Sequence, residues 1–148
     1  VIETPGHTLD HVCYYVESEG WLFCGDSLFA MGCGRLFEGD ALQQWESLKK
    51  LRQLPEETLC FCGHEYTYKN LQFAVSVMGS STNLEKREKL VIQALNDKKT
   101  TMPFKILEEK QTNPFMLCDN AYWKEFFKMP EAKGEEVFAA LRSKRDVF

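Results

Sequence analysis

Short apolar runs alternate with turn-forming residues in the first eighty positions of the chain. Residues 11–16 are rich in β-branched and aromatic side chains, residues 17–20 are turn-like, and residues 21–24 are apolar again, which predicts a β-hairpin. Residues 58–62 predict another strand. Between them, apolar residues recur at intervals of three and predict an amphipathic helix that Pro55 ends: Leu42, Trp45, Leu48, Leu51 and Leu54. This alternation predicts an α/β fold.

The pattern becomes helical towards the C-terminus. Gly79 ends a helix that carries Leu71, Ala74, Val75 and Met78 on one face. Thr82 and Glu85 have the spacing of a capping box before a charged helix that runs to about Asp97. Asp119 or Asn120 can cap a short aromatic helix, and residues 135–145 predict a last one. We therefore expect two parts, an α/β domain over residues 1–79 and an all-α extension over residues 80–148.

Composition narrows the class of protein. The 148 residues are 44% hydrophobic and carry a formal charge of −4, so there is no basic excess for nucleic-acid binding. No apolar run approaches the ~20 residues that span a bilayer, and the first residues lack the features of a signal peptide. We expect a cytoplasmic protein, or a mitochondrial one from a eukaryotic source, with no membrane partner and with six reduced cysteines. The first residue is not Met, which suggests a fragment of a longer chain.

Three polar residues stand out because each follows a glycine in a loop context. Asp26 comes directly after the hairpin, and His7 and His64 each follow a glycine. Two imidazoles and a carboxylate at such positions are typical of a metal site at the edge of an α/β sheet. A His–Asp set alone is a weak signal, and solvated or capping roles compete with it.

The combination of motifs is more specific. Several motifs occur in the order and at the spacing found in glyoxalase II: residues 4–8 (TPGHT), 25–29 (GDSLF) with 32–34 (GCG), 63–67 (GHEYT) and 113–116 (NPFM). The chain resembles this hydroxyacylglutathione hydrolase family of the metallo-β-lactamase superfamily over residues 2–148. The resemblance implies the second half of an αββα sandwich followed by a helical extension.

The same resemblance implies the site. His7 matches a ligand of one metal, His64 a ligand of the other, and Asp26 the catalytic carboxylate that bridges them. The family uses two divalent metals, commonly zinc, with iron or manganese as alternatives, and a bridging hydroxide that attacks a thioester such as S-lactoylglutathione.

Glutathione contacts are implied for eight residues, of which Phe37 departs from the tyrosine common in the family: Arg35, Leu36, Phe37, His64, Glu65, Tyr66, Arg142 and Arg145. The competing interpretation of Arg142 and Arg145 is a solvated cationic helix end.

One family motif, Thr-His-x-His-x-Asp-His, does not occur in these residues. We therefore expect that this chain, as a C-terminal half, neither binds the metal pair tightly nor turns over substrate alone, and that it self-associates through exposed half-sandwich surface. Two alternatives remain. One is a non-catalytic degenerate domain that binds a glutathione-like anion or a protein partner. The other is a different hydrolase of the same fold, such as a persulfide dioxygenase or a lactamase, which the helical tail disfavours.

Overall fold

The computed structural model describes all 148 residues as one mixed sheet with helices packed on one face. The strands are β1 (Ile2–Glu3), β2 (Val12–Val16), β3 (Trp21–Gly25), β4 (Leu59–Cys62) and β5 (Phe104–Lys105). The helices are α1 (Ala41–Arg52), α2 (Thr67–Met78), α3 (Thr82–Asn96), α4 (Ile106–Thr112), α5 (Ala121–Phe126) and α6 (Gly134–Asp146), with a 3₁₀ turn at Pro114–Leu117. The predicted α/β class and the helical C-terminal part are confirmed.

The sheet has the strand order β1-β2-β3-β4-β5. The predicted hairpin pairs β2 with β3 antiparallel, whereas β3 and β4 run parallel and α1 connects them. Parallel strands need such a crossover because the end of the first strand and the start of the second lie at opposite edges of the sheet. The carboxyl ends of β3 and β4 therefore meet at one edge, where Asp26 and His64 follow them.

One face of the sheet is buried under the helices. Leu22, Cys24 and Cys60 are fully buried on that face, and they share one apolar core with α1, the 3₁₀ turn and α6. All six cysteines are free thiols, as predicted. No helix is both long and apolar enough to cross a membrane.

The opposite face of the sheet carries no helix. Tyr14, Phe23 and Phe61 are register partners across β2, β3 and β4, and Val16, Trp21 and Leu59 form the next row. Alternation along the strands places all six side chains on this face. Four of them are exposed, and the Phe23 and Phe61 rings stack at 5.3 Å. The sheet thus presents an aromatic face, defined by these six residues.

Two details of the helical tail differ from expectation. Phe104–Lys105 adds a two-residue strand to the β4 edge, so the extension is helical but contributes to the sheet. The N-cap of α3 is Ser81 and not Thr82. The Ser81 hydroxyl accepts from the Leu84 amide. Ser81 keeps extended backbone while Thr82 is already helical. Asn120 caps α5 as predicted, because Asp119 pairs with Arg52 instead. The division at residues 79 and 80 stays a prediction.

Candidate functional site

His7, Asp26 and His64 converge at the carboxyl edge of β3 and β4. Asp26 Oδ2 lies 3.5 Å from His7 Nε2 and 3.4 Å from His64 Nε2. Gly63 permits this approach, since a Cβ there would collide with Asp26 Oδ1. The structure therefore brings together the three residues that the sequence predicted as metal ligands.

The orientation of His7 is fixed from behind. Its Nδ1 donates to the backbone carbonyl of Arg35 at 2.8 Å. A ring that carries its proton on Nδ1 presents the lone pair of Nε2 to the site, which is the tautomer a metal ligand needs. Gly34 lets the loop before Arg35 pass close to the Asp26 backbone, because a Cβ at this position would overlap the Asp26 carbonyl.

The donor set fits part of a two-metal site. With metal–ligand bonds of about 2.1 Å, two ligand atoms of one tetrahedral ion lie roughly 3.4 Å apart, which agrees with both His–Asp separations. Asp26 would serve both ions, since its carboxylate lies near both imidazoles. No group of three or more His, Cys, Asp or Glu side chains in this chain is arranged to hold a metal ion. Each ion would therefore have two ligands here, fewer than the three protein ligands of catalytic zinc sites.

A cavity of about 470 Å³ opens beside these residues. Its walls hold most of the predicted site residues together with five that were not predicted: His7, Asp26, Phe29, Cys33, Gly34, Arg35, Phe37, His64, Tyr66, Lys69, Asn70, Arg142 and Arg145. A larger, shallower depression of about 630 Å³ lies along α3. Only one hydrophobic residue lines it and no histidine or cysteine, so the chemistry belongs to the smaller cavity.

Two of the predicted substrate contacts lie outside the cavity walls. Leu36 packs against the apolar core. Glu65 turns away from its neighbour His64, and its Oε1 accepts from the Thr101 amide at 2.5 Å and from the Thr101 hydroxyl at 2.9 Å. Glu65 in this position anchors the loop before Pro103 to the loop after β4.

Aromatic rings frame the two histidines. Tyr66 stacks on His64 with a centroid separation of 5.1 Å, and Phe29 meets Tyr66 edge-on at 5.2 Å. Phe37 lies 4.9 Å from the His7 ring and is 68% exposed. These rings restrict the imidazoles and offer an apolar surface beside the polar centre.

Four cationic side chains line the cavity: Arg35, Lys69, Arg142 and Arg145. Burial, followed by the charges of Arg142 and Arg35, lowers the pKa of Arg145, yet an arginine stays protonated at neutral pH. Arg142 is 6% exposed and its guanidinium pairs with Asp146 at 2.9 Å. The two arginines therefore differ, because Arg142 is largely satisfied within the protein and Arg145 contacts only Asn70 among polar groups, at 3.3 Å.

Lys69 and Asn70 were missed by sequence reasoning. They lie three and four residues after Tyr66, one helical turn along α2, so the same helix face brings all three to the cavity. Asn70 is 5% exposed, and its Nδ2 donates to the Ala30 carbonyl at 3.1 Å. The helical spacing from Tyr66 was the available signal.

His11 does not join His7 and His64 in the site. Its Nδ1 forms a hydrogen bond with the Thr4 hydroxyl at 2.8 Å, and its ring centroid lies 6.3 Å from that of His7. Burial, and then the nearby His7, lowers the pKa of His11. The hydrogen bond to Thr4 gives His11 a structural role beside the site.

Comparisons with known proteins agree with this geometry. A family model described as the metallo-beta-lactamase superfamily matches residues 1–64, and one described as the hydroxyacylglutathione hydrolase C-terminus matches residues 65–148. The hydroxyacylglutathione hydrolases of Rhodospirillum rubrum and Bartonella henselae are 49% and 45% identical over 100% and 99% of this chain.

The chain spans 58% of the length of each of these two relatives. Among solved structures, ETHE1 from Myxococcus xanthus is similar with a TM-score of 0.53 and 26% identity, over 99% of this chain and 52% of that one. Family, fold and site geometry converge, and the chain belongs to the hydroxyacylglutathione hydrolase (glyoxalase II) family of the metallo-β-lactamase superfamily.

Proposed function

We propose that this chain supplies the C-terminal part of a thioester hydrolase that converts S-(2-hydroxyacyl)glutathione, such as S-lactoylglutathione, to a 2-hydroxy acid and glutathione. The observation that carries the proposal is the convergence of His7 and His64 on one oxygen of Asp26 at a cavity with cationic walls. The family membership of the chain supports the substrate class.

His7, Asp26 and His64 would hold two divalent cations, with Asp26 shared between them. Such ions, commonly zinc and alternatively iron or manganese, supply Lewis-acid polarisation and activate water at neutral pH. The chain's own contribution is orientation, because the Arg35 carbonyl fixes the His7 ring and Tyr66 stacks on that of His64.

The cavity walls suit the glutathione portion of the substrate. Glutathione carries two carboxylates, and guanidinium or ammonium groups from Arg35, Lys69 and Arg145 reach the same cavity. We assign Tyr66 and Phe37 to its apolar and amide portions, Arg142 to the support of the wall, and Leu36 and Glu65 to indirect contacts.

We propose further that this chain is inactive alone, because it offers no metal ion a group of three or more ligands. The family motif that would complete both sites lies outside this sequence. The remaining 42% of the relatives' length, obtained by subtracting 58% from the whole, is the natural source of those ligands.

The experiment is metal analysis and thioester hydrolysis on the same preparations. The purified chain, and the chain mixed with the N-terminal segment of the Rhodospirillum rubrum relative, are loaded with zinc, desalted and assayed with S-lactoylglutathione. We expect two metals and turnover only in the mixture, and loss of both in the mixture made with Asp26→Asn. Glu46→Gln, an exposed substitution on α1, is the matched control. Turnover by the chain alone would refute the proposed incompleteness.

A non-catalytic domain that binds a glutathione-like anion is the second candidate, because no complete metal cluster exists in the chain. The same mixture separates the two. Binding of S-lactoylglutathione without hydrolysis, in a mixture shown to hold two metals, would favour the binding domain.

The aromatic face and the free thiols support two further proposals, on self-association and on cellular location. We propose that copies of the isolated chain associate through the aromatic face of the sheet, since apolar patches of this kind are rarely left uncovered. We also assign the protein to the cytoplasm, an assignment supported by six unpaired cysteines.

A further inference from the structure

The loop over residues 29–34, which we name the floor loop, has an unusual backbone. Met31 adopts φ of 55°, in the left-handed region that non-glycine residues seldom occupy. Its side chain is fully buried in a small cluster with Leu71, Ala74, Leu84 and Val91. Such a conformation persists only where surrounding contacts hold it, and it is concentrated at functional sites.

Glu109 and Asn113, in α4 and directly after it, hold the middle of the floor loop. The carboxylate of Glu109 accepts from the Met31 amide at 2.8 Å, and Asn113 Nδ2 donates to the Gly32 carbonyl at 3.0 Å. Asn113 Nδ2 also lies 2.8 Å from Glu109 Oε2, so both residues act on the loop as one unit. This assigns a role to the NPF motif, which the proposed chemistry left unused.

The unit is buried and fully paired. Glu109 and Asn113 are both 0% exposed, and Glu109 Oε1 accepts from Arg87 at 2.7 Å. Every partner of the Glu109 carboxylate is a donor, so the ionised form is the one that the surroundings satisfy. A polar network of this kind costs solvation energy that an apolar core would not, so packing alone does not account for it.

The floor loop leads directly to His7. Three residues after Gly32, the Arg35 carbonyl accepts from His7 Nδ1 at 2.8 Å. At the start of the loop, Phe29 packs edge-on against Tyr66, which in turn stacks on His64. Displacement of the floor loop would therefore disturb the support of both histidines.

We propose that Asn113 and Glu109 are positioning residues, which hold the floor loop so that the Arg35 carbonyl keeps His7 in its Nδ1-protonated orientation. The inference rests on the proposed function only where His7 is called a metal ligand. The hydrogen-bond linkage itself can be tested on this chain without metal or substrate.

The decisive variant is Asn113→Asp. It keeps the side-chain oxygen that caps the Phe115 amide and replaces the amide donor by an oxygen that faces Gly32 and Glu109. The matched control is Ile106→Val, a conservative core change on α4, the helix that also carries Glu109. We expect both variants to lower stability and only the first to disturb the floor loop.

The readouts are hydrogen exchange of the Met31 amide and the ring ¹⁵N spectrum of His7, both at one fixed pH. For Asn113→Asp we expect a mixture of His7 tautomers and roughly 10-fold faster exchange at Met31, the size of effect that losing one hydrogen bond has on local opening. For Ile106→Val we expect neither change. A purely structural role predicts that both variants behave alike.

Unaltered His7 signals in folded Asn113→Asp, or the same alteration in Ile106→Val, would overturn the proposal. Where Asn113→Asp does not fold, Asn113→Ser replaces it, because a serine hydroxyl can still cap the Phe115 amide. The outcome is independent of hydrolysis, so failure of the thioesterase proposal leaves this test intact.

Discussion

The Arg142 guanidinium donates to the backbone carbonyl of Cys33 at 3.1 Å, across 109 residues of sequence. This hydrogen bond joins the last helix of the tail to the glycine-rich loop that carries Arg35. The guanidinium also lies 5.1 Å from the Phe115 ring centroid and pairs with Asp146. Arg142 thus links α6, the 3₁₀ turn and the cavity wall.

We predict that Arg142→Ala lowers the free energy of unfolding by about 1–3 kcal/mol, because it leaves the Cys33 carbonyl without a donor and opens space over Phe115. Urea unfolding followed by circular dichroism measures this loss. In the complete enzyme the same change should raise KM more than it lowers kcat, since the wall that Arg142 supports binds ground state and transition state alike. Arg145→Ala is the control, and we expect it to lower the free energy of unfolding less than Arg142→Ala does. An equal loss in the two variants would contradict the interpretation that the more buried Arg142 has the larger structural role.

Phe37→Tyr tests the one departure from the family pattern in the substrate wall. The Phe37 ring is 68% exposed, so a hydroxyl group can be added without burial or collision. One additional hydrogen bond to substrate is worth about 0.5–1.5 kcal/mol, and this predicts a KM of the complete enzyme lowered roughly 2- to 10-fold.

Phe37→Leu is the control for that substitution, because it removes the ring beside His7 and adds no hydroxyl. It should leave KM unchanged or raise it. A KM that Phe37→Tyr does not lower would mean that no polar group of the substrate reaches this wall.

Local signals account for the parts of the fold that the sequence predicted. The hairpin and α1 are encoded by β-forming runs, a turn and a stripe of apolar residues, all of which act within a few positions. β5 was not predicted because two residues carry no periodicity, and Phe104 becomes a strand only by pairing with Cys60. Tertiary pairing of this kind is absent from any local pattern.

The site also has a part that local sequence patterns predict and a part that depends on tertiary packing. Glycine-flanked His7, Asp26 and His64 were predicted, and the structure brings them within 3.5 Å of a shared oxygen. Lys69 was missed because the rotation of α2 about its axis depends on packing and not on the motif. The family resemblance assigned Glu65 to substrate, but the turn directs its carboxylate to Thr101.

Arg52 and Asp119 predict a pH effect on stability. The hydrogen bond from Arg52 lowers the pKa of Asp119 below its ordinary value. A carboxyl group with a depressed folded-state pKa stabilises the fold above the unfolded pKa of about 4, and the contribution disappears as pH falls through the folded pKa. Because the pair is partly exposed, we expect about 0.2–1 kcal/mol.

Asp119→Asn checks this contribution by urea unfolding at neutral pH and in acid. The variant should be less stable than the wild type at neutral pH, and the two should converge below the folded-state pKa. Asp97→Asn, which affects the exposed pair with Lys99, should show no comparable difference. A deficit of Asp119→Asn that persists in strong acid would assign its cause to packing instead of charge.

The aromatic face of the sheet predicts the behaviour of the isolated chain in solution. Phe23 is the centre of one row, between Tyr14 and Phe61, and it is 43% exposed. Phe23→Lys places a charge at this centre, where desolvation between two copies would be costly. We expect sedimentation velocity to show concentration-dependent association of the wild type and a monomer for the variant. Leu90→Lys on α3, which is 60% exposed, should associate like the wild type. A wild-type chain that stays monomeric at every concentration, or equal association of both variants, would show that this face does not join copies of the chain.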